Sequence, residues 1–282
     1  LIVIAFGAFL GFEGTAIYAE EAKDPEKTVP RATYIAVAFL GLFYAFAFWI
    51  VTLAFGVEGV IEMANSDAFT EMVIVAGADY LGAWAAVVIQ ILIVTSFFAC
   101  VLAFHNATSR YLFSLGRERL LPAALGRTSA RTGAPTIASA TMVVIAGVAI
   151  VIAAITGADP YLHLAIWTYA VGVAGVIFAQ ALAAIAAVVF FSRDRRGHNV
   201  WRVIIAPALG ALGLVVAFTL VVLNFEIVSG IPGAINFWLV LPTPLLFIVG
   251  IVVGLVLKRR DPGAYAELTQ SIPVIKDEQI SS

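Results

Sequence analysis

Charge is what this sequence has least of. Only 12% of its 282 residues are Asp, Glu, Lys or Arg, while 62% are hydrophobic and the mean hydropathy is +1.03. A soluble domain needs roughly twice that charge to cover its surface, so a soluble fold is excluded and the bilayer is the solvent for most of the chain. Cysteine is almost missing too: Cys100 stands alone, which excludes an internal disulfide. The four lysines, Lys23, Lys27, Lys258 and Lys276, all lie in polar segments. A retinal photoreceptor, which needs a lysine at membrane depth for its Schiff base, is therefore excluded. His105, His163 and His198 lack metal-ligand spacing. Alternation with period 2 is missing from the apolar runs, which argues against an outer-membrane barrel. No nucleophile elbow, zinc-protease signature or phosphate-cradling glycine loop occurs either. The chain is thus expected to be no enzyme, to carry no cofactor or metal, and to bind no nucleic acid.

What is present is a series of apolar runs, at 1–18, 34–55, 81–104, 136–155, 161–191, 203–222 and 237–257. Each is near or above the ~18 to 20 residues that a helix needs to cross about 30 Å of hydrocarbon. The composition therefore predicts an all-α polytopic membrane protein with about seven transmembrane helices. Residues 1–258 form its membrane domain and 259–282 a cytoplasmic tail. All 16 basic residues fall after odd-numbered runs, whereas Glu58, Glu62, Asp67, Glu71, Asp79, Asp159 and Glu226 fill the opposite loops. Positive charge favours the cytoplasmic side, so the carboxyl terminus is expected inside and the amino end outside a cell membrane. The stretch "SRYLFSLGRERLLPAAL" is expected to lie as a short helix on the inner surface, and a further surface helix is expected before Gly82. Leu1 is no initiator methionine and no signal sequence precedes the first run. The chain is accordingly expected to be the later part of a longer protein.

Candidate chemistry concentrates in the first run, where "GAFLGFEG" sets Glu13 among Gly7, Gly11 and Gly14. A carboxylate at membrane depth costs about 2.5–3.5 kcal/mol on insertion scales and is a functional hypothesis by default. Glycines let the backbone leave helical geometry, which lipid tolerates only where the break lines a cavity or is buried in protein. Tight helix packing with Glu13 near an interface is the alternative. Downstream, Asp24, Pro25 and Pro30 end one helix and start the next. In the third run Ser96 and Cys100 stand one turn apart on one face, beside Gln90 and Thr95. Such groups either coordinate an ion or bond their own backbone.

"FLGFEGTAIYAEEAKDPEKTVPRA" resembles the sixth helix and following turn of amino acid permeases in the amino acid-polyamine-organocation superfamily. "HNATSRYLFSLGRERLLPAAL" resembles the loop after that family's eighth helix, and "GAPTIAS" the entry to its ninth. The resemblance covers essentially the whole chain, as helices six to twelve. It implies the second half of a five-plus-five inverted-repeat fold plus two extra helices, with the first repeat outside this sequence.

Several roles follow by resemblance alone. Phe9, Leu10 and Gly11 correspond to the helix-six break, whose backbone groups help hold a substrate ammonium. Glu13 falls on an acidic position suited to gating or proton coupling. Gly7 takes a position that is aromatic in many members, so either Phe6 or Phe9 supplies that aromatic gate or the site admits a larger side chain. Ser96 and Cys100 fall near coupling-ion contacts, and Phe104 near the substrate. The function implied is secondary transport of amino acids or related amines by alternating access, with the choice between proton and sodium left open. A permease for another small solute, and a non-transporting membrane fragment or scaffold, are the alternatives.

Overall fold

The computed structural model describes residues 7–12, 14–17, 19, 22–66, 68–195 and 197–268. Every regular element among them is helical. Six helices are long and apolar enough to cross a membrane. They account for the second to seventh apolar runs; the first lies partly outside the described residues. The chain divides into two compact units, one of Phe9–Arg110 and the other of Tyr111 onward together with the start of the chain to Ala8.

In the first unit, a one-turn helix α1 (Gly14–Ile17) is followed by α2 (Pro25–Ala64). Proline is favoured in a first helical turn, where its missing N–H would be unpaired anyway, and Pro25 opens α2 there. Pro30 follows in the second turn, where it costs one backbone bond. Charged residues therefore belong to the same helix as the apolar run beginning at 34. At the other end Gly56 takes φ 70°, ψ 165° and breaks the helix. The Tyr80 hydroxyl donates to the Ala54 carbonyl at 2.8 Å, just before that break.

Next comes α3 (Met72–Leu81), the helix expected before Gly82, which Gly82 terminates at φ 95°. Gly77 within it is buried, because a Cβ there would collide with the Ile89 side chain of α4 (Ala83–Arg117). The course of α4 corrects one expectation. "SRYLFSLGR" is no separate surface helix but continues the third apolar run, which stays helical to Arg117. No proline or glycine occurs between Cys100 and Phe113. Hydropathy falls where the bilayer ends, but nothing there stops the backbone ladder.

The second unit is built around α6 (Trp167–Arg193), preceded by α5 (Thr136–Thr156) and by a π-helical segment, Pro160–Ile166. Ala170, Val173, Ala174, Ile177 and Ala181 form one buried stripe along α6. It packs against α7 (Ala206–Leu223), which buries Ala211, Ala217 and Val221. In lipid, helices associate through close packing, and small residues permit it. Phe178 fills the space left beyond the stripe, with ring centroids 5.1 Å from Phe218 and 5.4 Å from Phe247.

Two short helices, α8 (Phe225–Ser229) and α9 (Ile235–Val240), lead into α10 (Pro242–Arg260) and α11 (Pro262–Leu268). The turn between α8 and α9 is held by buried Ser229, which donates to Asn236 at 2.6 Å, while Asn236 donates to the Ile231 carbonyl at 2.7 Å.

Candidate functional site

The first apolar run is not a continuous helix. Gly7 and Ala8 are helical, residues 9–12 form a turn, and α1 resumes at Gly14. Gly11 sits at φ +109°, a conformation that L side chains rarely adopt. Here the amide of Gly14 reaches the Gly11 carbonyl at 3.0 Å and that of Phe12 reaches Phe9 at 3.5 Å. Bonding three residues back replaces the four-residue ladder through this turn. The Thr15 hydroxyl adds a second donor to the Phe12 carbonyl, at 3.0 Å.

Phe9 is half-buried, and its ring meets Tyr44 of α2 edge-on at 6.0 Å. It lies over Gly41, where a Cβ would be 3.6 Å from the ring. Leu10 is half-buried beside it. Phe6 and Glu13 lie outside the described residues.

On α4, Ser96, Cys100 and Phe104 stand four residues apart on successive turns, and all three are exposed. Ser96 and Cys100 line an open groove of about 470 Å³ with Val73, Ile89, Leu92, Ile93 and Phe97. Thr95 is committed elsewhere, donating to the Ile91 and Leu92 carbonyls of its own helix. This back-bonding uses the hydroxyl proton of Thr95 and fixes its rotamer, while the oxygen keeps its lone pairs.

In the second unit, the space a side chain at Gly7 would fill is held by Tyr169 of α6. Sequence reasoning passed over Tyr169 entirely. The only local signal is the smallness of residue 7, which says that something approaches closely without saying what.

Compared with known families, residues 1–253 match the family model described as amino acid permease. The chain belongs to the amino acid permease family. Related sequences are transporters. A D-serine/D-alanine/glycine transporter of Escherichia coli (strain K12) is 32% identical over 45% of this chain and 26% of its own length. The histidine permease HisP of Lactococcus lactis subsp. cremoris (strain MG1363) is 30% identical over 58% of this chain and 34% of its own length. A low-affinity putrescine importer, PlaP of Escherichia coli (strain K12), is 29% identical over 41% and 24%. The matched region thus spans about a quarter to a third of these relatives. No solved structure matches. The listed relatives are transporters, and the six long apolar helices are those of a multi-pass membrane protein.

Proposed function

We propose that this permease moves amino acids or related amines across a cell membrane by secondary active transport with alternating access. The observation that carries the reading is the break at residues 9–12, with Gly11 at φ +109°, in a chain that matches the amino acid permease family. Broken membrane helices turn carbonyl oxygens, which keep a second lone pair beside any backbone bond, toward charged ligands near the bilayer midplane. In this reading Phe9, Leu10 and Gly11 hold the substrate's ammonium group through carbonyl oxygens, with Phe6, Gly7 and Phe104 at the same site. Glu13 gates the site or carries a proton. Ser96 and Cys100 contribute to a coupling-ion site, and the ion is a proton or sodium. The proposal takes this sequence as helices six to twelve, with the other half of the substrate site in a first repeat outside it. The carboxyl terminus faces the cytoplasm.

Uptake of labelled amino acids and diamines by cells expressing the full-length protein, first repeat included, tests the reading directly. Accumulation above control cells that collapses when the ion gradient is dissipated is the expected result. Glu13→Gln is expected to lower or uncouple that uptake while membrane abundance stays the same. If wild-type cells accumulate no amino acid or amine, the transporter reading falls. If Glu13→Gln leaves rate and pH dependence untouched, the role of Glu13 falls alone.

A further inference from the structure

Two threonines tie the broken run to the helix that follows it. Thr15 of α1 and Thr33 of α2 are both half-buried, and their hydroxyl oxygens meet at 2.5 Å. That is the short end of the range for an O–H···O bond. Each hydroxyl also reaches a backbone carbonyl, Thr15 that of Phe12 at 3.0 Å and Thr33 that of Val29 at 2.9 Å. Three contacts are therefore shared by two hydroxyl protons.

One proton to each bond leaves three arrangements. If both threonines bonded only their own carbonyls, as helical threonines commonly do, two oxygens would face each other at 2.5 Å with no proton between them. Two relays avoid that repulsion: Thr33 donates to Thr15 and Thr15 to Phe12, or Thr15 donates to Thr33 and Thr33 to Val29. The acceptors decide between them. Val29 lies inside α2, where the helical ladder already supplies its carbonyl with an amide. Phe12 closes the turn at 9–12, and its carbonyl receives the Thr15 amide at 3.4 Å, longer than an ordinary N–H···O bond. The hydroxyl proton is worth more at Phe12, so the relay runs from Thr33 through Thr15 to the turn.

We propose that Thr33 is a positioning residue of the substrate site: through the Thr15 hydroxyl it fixes the Phe12 carbonyl, and with it the turn that presents Phe9, Leu10 and Gly11. The inference rests on the transporter reading above and adds to it a residue on a second helix. Packing does not hold the middle of this turn, since Gly11 has no side chain and open space surrounds the place where a Cβ would stand. Helix α2 instead grips the turn on both sides of Gly11. Before it, the Phe9 ring rests on Tyr44 and Gly41; after it, Thr15 meets Thr33. Binding groups must be held within about 0.5 Å of their working geometry by neighbours that are themselves fixed, and the relay meets that need.

The test is the KM and the maximal rate per transporter in the membrane, for uptake of labelled glycine, histidine and putrescine by cells expressing the full-length protein. Thr33→Val keeps the shape of the side chain and removes the hydroxyl. It is expected to raise KM about fivefold, the worth of one hydrogen bond, with the maximal rate within twofold of wild type. Thr33→Ser restores the donor and is expected to leave KM within twofold. Thr15→Val should raise KM as Thr33→Val does, and the double variant no further than either single one, because both cut the same relay. A merely structural role would lower abundance in the membrane and leave KM alone. An unmoved KM in Thr33→Val, an equal rise in Thr33→Ser, or a rise in the double variant equal to the product of the two singles overturns the inference. Should one valine variant fail to reach the membrane, the KM of the other still decides. No uptake by the wild-type protein would instead remove the transporter reading, and this inference with it.

Discussion

Gly11 shows how much a single residue settles. Its φ of +109° is open to glycine, while nothing lies within 4 Å of the place where a Cβ would stand. The cost of Gly11→Ala is therefore conformational and not steric, about 1–2 kcal/mol. A lowered melting temperature in detergent and slower uptake are expected from Gly11→Ala. An unchanged melting temperature would mean that the turn at 9–12 relaxes without resistance. Gly7 is the opposite case, since its difficulty is the neighbouring ring and not the backbone. The sequence marks both glycines equally. Only the structure separates a glycine kept for its torsion from one kept for its smallness, because the partner of residue 7 lies 162 positions away. Glu13 stands out in the sequence by its cost in lipid, and it lies outside the described residues. Tyr169 does not stand out there, because tyrosine is ordinary in such a helix and carries no charge to betray it.

Among the elements, the apolar runs located six spanning helices well, since burying twenty apolar residues in a bilayer leaves a strong record in composition. Helix ends were read less well. Hydropathy marks where lipid stops, whereas the end of a helix is decided by caps, and α2 and α4 both run past the bilayer limits implied by their apolar runs. Helix α11 has such a cap. Asp261 accepts from the Ala264 amide at 3.0 Å and pairs with Arg119 at 2.6 Å.

The Ala264 N–H is the chief cause that holds the Asp261 carboxyl below its ordinary value of 3.8, and Arg119 lowers it further. A depressed carboxyl contributes stability that is fully present above 3.8 and lost as pH falls through the lowered folded value. The cap should consequently be insensitive to pH between 5 and 8. Asp261→Ala is expected to speed hydrogen exchange at Ala264 about threefold throughout that range. Exchange in the wild type that accelerates between pH 8 and 5, after correction for intrinsic rates, would contradict the assignment.

For the whole molecule, the open question of orientation has a direct measurement. Lys258, Arg259 and Arg260 close α10, and Arg117 closes α4, which places basic clusters at the ends expected to face the cytoplasm. In a Cys100→Ser background, Asn65→Cys and Thr128→Cys each put one exposed thiol on opposite sides of the expected membrane. A membrane-impermeant maleimide should label Asn65→Cys in intact cells and Thr128→Cys only after permeabilisation. The reverse pattern would invert the topology.

The buried stripe of α6 also has a genetic consequence. Ala170, Val173, Ala174, Ile177 and Ala181 leave no room for an added methylene, whereas Val94, Phe98, Val101 and Leu102 of α4 stand open. Among variants that still function, α4 should accumulate exchanges among leucine, isoleucine, valine and phenylalanine freely. On α6 the same mutational supply should leave almost nothing larger than the residue it replaces, so descendants of this gene would diverge on one helix and stay frozen in volume on the other.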